Sequence, residues 1–331
     1  MPRHALVIVA DAKFLPGVNA MLNGIKYYGM DDGNLEVFLI HTFPKDSAYI
    51  QRAKVAFGSF FRPVNLTDYY EECRAGYWSK QFKHSKSSMK YARWWYPVDK
   101  LSDYDAICVL DADRIITSNF TRWFDMIARS DMIGLAANDW SEATWFNYND
   151  KRAMLKNPPL YSNPYFITGK RAKELFPLIP EYATNPNKYY PEYTGRGEPP
   201  YTTGDMHPVN LTLLQTGMID DLMPLSATQW VLVETTHVKL MERIISGKKH
   251  IAIHGKGDLI HTIHRRYWGQ RMCSRLMNGH TAVGFDNGVN NTKLIWDFYR
   301  FFNTELYLKI DWIWGEFPVI PENPHRMKIH M

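Results

Sequence analysis

The sequence predicts an α/β fold built on a mainly parallel central sheet. Apolar runs of strand length alternate with segments whose apolar residues recur at helical spacing. Two of those runs end in aspartate, as strands do where they leave a buried sheet. The chain has 331 residues, 45% of them hydrophobic and 22% charged, which is enough ordinary globular sequence to bury a large core.

Leu6–Ala10 reads as a first buried strand and ends in Asp11. Phe14, Val18, Met21, Leu22, Ile25 and Tyr28 then follow at helical spacing up to Gly29. Glu36–His41 is a second strand, Ser47–Phe57 a second helix, and a short strand lies around Val64–Leu66. Ser79–Tyr96 is a longer helix that Pro97 stops. Asp105–Leu110 is the next strand, with Asp111 and Asp113 at its exit and a second apolar segment after Arg114. Residues 118–121 supply cap residues for a helix through Ala128, and Met132–Ala137 is one more strand.

From Asn138 to Tyr201 prolines interrupt the chain, and Tyr and Asn are frequent. This stretch reads as loops that elaborate the domain, apart from a short helix at Lys170–Phe176. Beyond it, His207–Thr216 reads as helix, and Ile219–Leu225 and Trp230–Val233 as strands. Val238–Ser246 follows as helix, Ile251–His254 as a short strand, and Asp258–Met277 and Lys293–Phe302 as helices.

The net charge of +5 fits an anionic ligand such as a nucleotide, without itself defining a nucleic-acid footprint. Aromatic residues make up 15% of the chain, which fits either an aromatic core or rings that stack on sugars and bases. Cys73, Cys108 and Cys273 have no CxxC spacing, and Cys108 falls within a strand as a buried thiol, so a reducing compartment is expected. Ala5–Ala10 is too short for a secretory segment, and no apolar run approaches the roughly 18 residues of a membrane span. A cytoplasmic, soluble chain follows, in which the Asn-x-Thr sequons at Asn65, Asn119, Asn210 and Asn290 are incidental.

Asp111-Ala112-Asp113 carries the chemistry. Carboxylates at the carboxyl end of a strand sit where α/β sheets bind ligands, and two of them suit Mg²⁺ or Mn²⁺ with a phosphorylated substrate. The plainer reading is a solvated turn. Upstream, Lys83, Lys86, Lys90 and Arg93 line one helical face, where they neutralise a diphosphate or simply face water. His254-Gly255-Lys256-Gly257 offers an imidazole to a metal and a lysine to a phosphate, with glycines that let the backbone approach. Asp205 either caps the helix that follows it or belongs to a polar site; Asp139, Glu142 and His207 are further candidates. His261 and His264 form a metal pair or part of a basic helix face.

Together these segments resemble the GT-A glycosyltransferases, a Rossmann-like nucleotide-diphospho-sugar transferase fold, and most of all the glycogenin/galactosyltransferase-type family 8. Leu101-Ser102-Asp103-Tyr104-Asp105-Ala106-Ile107-Cys108-Val109-Leu110-Asp111-Ala112-Asp113 is similar to that family's L-x-x-Y-D-K-V-L-Y-L-D-A-D block. His254-Gly255-Lys256-Gly257 is similar to its C-terminal His-x-x-Gly segment, and the strand ending in Ala10-Asp11 to its nucleotide-binding strand. Where the family has Asn-Ser-Gly, this chain has Tyr165-Phe166-Ile167-Thr168-Gly169, and Gly204-Asp205-Met206 stands for its Asp-Gln pair.

The resemblance implies that Asp111, Asp113 and His254 bind Mn²⁺ or Mg²⁺ on the diphosphate of a sugar nucleotide, most often a UDP-sugar. It implies Asp11 near the base or ribose, Lys90 or Arg93 near the diphosphate or donor sugar, and Lys256 on the leaving phosphate. Residues 1–140 would form the nucleotide-sugar half, 141–257 the acceptor half, and 258–331 a C-terminal helical extension. An inverting reaction needs a base on the acceptor hydroxyl, for which Asp205 is the candidate, whereas a retaining one needs no strong base. The acceptor is open among a glycan, a protein, a lipid-linked sugar and a nucleic-acid base. Two other readings compete: a HAD-like phosphatase using the Asp-x-Asp pair, and a non-catalytic carbohydrate- or nucleic-acid-binding module.

Overall fold

The computed structural model describes residues 2–11, 14–44, 46–72, 86–112, 114–116, 119–137, 160–184, 205–225, 252–254 and 300–310. In chain order the elements begin β1 (His4–Ala10), α1 (Leu15–Tyr27), β2 (Leu35–His41), α2 (Ala48–Phe57), β3 (Phe61–Asn65) and α3 (Leu66–Glu72). Then come α4 (Lys86–Lys100), β4 (Ala106–Asp111), β5 (Arg114–Ile116), α5 (Thr121–Ser130), β6 (Ile133–Ala137) and β7 (Leu160–Ile167). The series continues with α6 (Gly169–Leu175), α7 (Leu178–Thr184), α8 (Met206–Thr216), β8 (Leu222–Leu225) and β9 (Ala252–His254). It closes with α9, residues 300–304. Two compact units result: Met1–Asp11, Gly29–Asp111 and Asn119–Trp230 form the first, and Ala12–Tyr28, Ala112–Ser118 and Val231–Met331 the second.

The first unit is a seven-stranded sheet in the order β3-β2-β1-β4-β7-β6-β8. β1 pairs in parallel with β2 and with β4, as β2 does with β3 and β6 with β8; β7 alone runs against both of its neighbours. The central strands read as unbroken apolar runs because both faces are covered: Ala5, Leu6, Val7 and Ile8 are buried, as are Ile107, Cys108 and Val109. One face carries the main core, in which Ala5, Val7, Ile107 and Val109 meet Tyr91, Trp94 and Trp95 of α4 and Leu175, Phe176 and Ile179.

Three local expectations change. Pro97 does not stop α4, which continues to Lys100, and Leu101 N–H donates to the Pro97 carbonyl at 3.0 Å. Tyr91 through Tyr96 are all buried, and that packing outweighs the cost of a proline one turn from the helix end. The Pro-rich stretch contains a full strand, β7, inserted beside β4 because Tyr165, Phe166 and Ile167 are buried on both faces of the sheet. Leu66 opens helix α3 instead of closing a strand: Asn65 Oδ1 accepts from the Thr67 and Asp68 N–H groups at 3.0 and 3.3 Å.

The second unit joins α1, the β5–β9 pair and residues 300–310. β5 and β9 are antiparallel, with Arg114 opposite His254 and Ile116 opposite Ala252. Among the described residues, no helix is long and apolar enough to cross a membrane.

Candidate functional site

The strand order locates a ligand crevice before any side chain is considered. The chain steps outward from β1 to β2 to β3, then returns to lay β4 on the other side of β1. Between β1 and β4 the connections diverge at the carboxyl edge, which is where open α/β sheets bind ligands. Val9 is in register with Asp111, so Asp11 and Asp111 leave adjacent parallel strands on that edge.

Asp111 is the last residue of β4, and its side chain is 32% exposed. Its Oδ1 accepts from Nη1 of Arg93, whose Nη2 donates to Oδ2 of Asp205. Arg93 and Asp205 are buried, 5% and 4% exposed at the side chain. Burial works against the guanidinium charge, but Asp205 and Asp111 outweigh it and hold the Arg93 pKa above its ordinary value. α4 supplies this cation from among Trp94, Trp95 and Tyr91, a setting in which a charge persists only when paired.

Asp205 occupies the N-cap position of α8, yet its side chain caps nothing. Its carbonyl accepts from the Val209 N–H at 3.0 Å, and the carboxylate turns to Arg93 instead. Between the two readings of Asp205, the structure therefore places it in a polar cluster with Asp111.

Sequence reasoning overlooked two residues at the same edge. His41 ends β2, buried, and its Nδ1 accepts from the Phe43 N–H at 3.2 Å. Burial, reinforced by the Lys54 charge, lowers its pKa to about 4, so the imidazole is neutral. Asn65 ends β3 and donates through Nδ2 to the Phe43 carbonyl at 3.2 Å. His41 closes an apolar strand much as Asp11 follows β1, and that shared position was the available signal; β3, with Arg62 exposed and Pro63 and Val64 partly buried, gave no such signal for Asn65.

The remaining candidates divide. Lys86 and Lys90 lie on α4, but their side chains are outside the described residues, as are those of His207 and His254. Lys83, Asp113, Asp139, Glu142, Lys256, His261 and His264 lie outside altogether. The backbone of His254 ends β9 and pairs with Arg114, the residue after Asp113. Among the described residues, no three metal-ligating side chains come together.

The first half of the Leu101–Asp113 block has a structural use at the opposite edge. Leu101 is buried, and the Tyr104 hydroxyl donates to Glu36 and accepts from Arg3 at 2.9 Å. Asp105 accepts from the Arg3 N–H at 2.7 Å. Gly169 N–H donates to the Tyr104 carbonyl at 3.0 Å. A Cβ on Gly169 would lie 2.6 Å from the carbonyl oxygens of Leu101, Ser102 and Tyr104, so the backbones meet only because this residue is glycine.

No protein-family model matches the sequence, and no curated protein matches it. Solved structures do match. The apo structure of WbbM, a bifunctional glycosyltransferase, aligns with 76% of this chain and 45% of its own at 12% identity, with a TM-score of 0.50. This chain thus spans less than half of that structure's length. Mouse xyloside xylosyltransferase 1 aligns over 77% of this chain and 97% of its own at 12% identity and a TM-score of 0.49. The galactosyltransferase LgtC, in complex with donor and acceptor sugar analogs, aligns over 76% and 86% at 12% identity and a TM-score of 0.46. The fold is that of the GT-A glycosyltransferases.

Proposed function

We propose that this chain is a metal-dependent glycosyltransferase that moves a sugar from a nucleotide-diphosphate donor, a UDP-sugar in our reading, to an acceptor hydroxyl. One observation carries the proposal. On a GT-A sheet, Asp11 and Asp111 leave adjacent strands at the diverging edge, and a buried guanidinium fixes Asp111 there.

Asp111, Asp113 and His254 are the proposed ligands. Two carboxylates and an imidazole are a donor set suited to Mn²⁺ or Mg²⁺, and the pairing of Arg114 with His254 supports the fit. A divalent ion, when bound, supplies neutralisation of the charge that builds on a departing diphosphate. Asp11 would meet the base or ribose, while Lys90 and Lys256 would meet the phosphates.

Arg93 keeps Asp111 in one orientation. Asp205 holds Arg93 from its other side, so its carboxylate is engaged by a guanidinium and poorly suited to take a proton from an acceptor. We therefore assign Asp205 to positioning, which favours the outcome that needs no strong base. The same ion pair weighs against a phosphatase reading, because a guanidinium on Asp111 Oδ1 draws charge from a carboxylate that would have to act as the nucleophile.

A donor screen tests the proposal. With Mn²⁺ present, one nucleotide sugar from a panel should raise the melting temperature of the wild type and be slowly hydrolysed. An Asp111→Ala/Asp113→Ala variant should show neither effect. Equal stabilisation of the wild type and the double variant by every nucleotide sugar refutes the proposal.

A further inference from the structure

We infer that a buried asparagine clasp in the second unit, Asn19–Asn23–Asn303, positions the short ladder that bears His254 and follows Asp113. The inference rests on the metal reading above and concerns residues to which that reading gives no role.

Asn19 and Asn23 stand four residues apart on α1, and both are fully buried, as is Asn303. Asn19 Nδ2 donates to Asn303 Oδ1 at 2.8 Å and to the Leu308 carbonyl at 2.9 Å. Asn23 Nδ2 donates to the carbonyls of Phe302 and Leu308 at 2.7 and 2.9 Å, and its Oδ1 accepts from the Leu308 N–H at 3.0 Å. Asn303 Nδ2 donates to the Pro16 carbonyl at 3.1 Å, and its own carbonyl accepts from the Ile310 N–H at 3.1 Å. An apolar face would let residues 300–310 settle at several offsets along α1. Amides bonded on both sides permit one.

The same helix carries that register to the ladder. Residues 16–25 of α1 are all buried, so the helix is packed on every side. A Cβ on Gly24 would stand 3.0 Å from Cβ of Ile116 in β5 and 3.6 Å from Cε1 of Phe302. Ile116 belongs to the three-residue strand that starts after Asp113 and pairs Arg114 with His254. A ladder of three residues has little stability of its own, so its geometry depends on what packs beneath it. Here that is α1, held in register by the clasp.

The test compares the wild type, Asn23→Leu and Asn19→Ser in the full chain. Amide hydrogen exchange is read by mass spectrometry, and Mn²⁺ affinity by electron paramagnetic resonance. Peptides spanning residues 114–116 and 252–254 should exchange roughly tenfold faster in the variants, while those spanning β1 and β4 stay at the wild-type rate. Mn²⁺ dissociation constants should rise about tenfold or more, as on loss of groups that orient metal ligands. A folded variant whose ladder exchanges like the wild type overturns the inference, and so does one with a loosened ladder and unchanged Mn²⁺ affinity. Should Asn23→Leu fail to fold, Asn19→Ser carries the same comparison. A wild type without Mn²⁺ affinity overturns the metal reading instead, and the exchange rates then decide on the clasp alone.

Discussion

Replacing Arg93 with methionine isolates the interaction that organises the site. Methionine keeps much of the length and the apolar contact beside Trp94 but removes the charge. The consequence differs for the two carboxylates. Asp111, 32% exposed, keeps access to water, whereas Asp205, 4% exposed, loses its ion pair with Arg93 in the interior. Removing one partner of a buried ion pair costs about 3–5 kcal/mol, and the buried Asp205 bears more of it than the partly exposed Asp111. For a unit of this size the loss corresponds to a fall in melting temperature of roughly 6–20 °C. Urea unfolding followed by tryptophan fluorescence reads it, since Trp94 and Trp95 are buried beside the site. A second substitution sharpens the test. Asp205→Asn in the Arg93→Met background removes the buried charge that has lost its guanidinium and should recover about 2 kcal/mol, although Asp205→Asn alone destabilises the wild type by about 1–3 kcal/mol. A loss below about 1 kcal/mol for Arg93→Met, or a double variant less stable than the single, refutes the reasoning.

Other substitutions probe the framework around the site. Gly169→Ala forces a Cβ to within 2.6 Å of three carbonyl oxygens and should cost about 1–3 kcal/mol; an unchanged melting temperature would contradict the close backbone approach. His41 binds its proton less readily in the folded chain, with a pKa of about 4 against an ordinary 6.5. The unfolded chain therefore holds more protons between those values, and the His41 contribution is complete above pH 6.5 and lost as the pH falls toward 4. His41→Asn should flatten the acid limb of a urea-midpoint profile between pH 4 and 7, and an equally steep limb in the variant would count against the buried neutral imidazole. Tyr104→Phe removes the hydroxyl between Arg3 and Glu36 but leaves Glu36 bonded to Arg62 at 2.7 Å, so about 1 kcal/mol should be lost. A loss above about 3 kcal/mol in denaturant titrations would mean that the network depends on Tyr104 more than its bonds indicate.

The strands that form the diverging edge were legible because each is written twice, as an apolar run and as its polar stop. Leu6–Ala10 and Ile107–Leu110 are continuous runs closed by Asp11 and Asp111, and both are central strands. Helix α1 was legible from its spacing and from Gly29, whose φ of +64° suits glycine at the end of a helix. β7 was not legible, because Pro164 and the surrounding prolines resemble a loop and no local pattern shows a strand about to run antiparallel between two others. The end of α4 was misplaced for a related reason: a proline rule describes an isolated helix, and this one is buried from Tyr91 through Pro97.

What the sequence determined by itself was the material of the site and the strand exits that carry it. A strand covered on both faces must be apolar throughout, so its end is marked wherever a carboxylate appears. The tertiary structure alone decided which groups meet there. Arg93 lies in a run of cations in which Lys90 had as good a claim on the acidic motif, and Asp205 lies 112 residues further on in a position that reads as a helix cap. Burial chose between them. Arg93 is carried by α4 into the interior, where an unpaired guanidinium is too costly to persist, and among the described residues the carboxylates it bonds are those of Asp111 and Asp205.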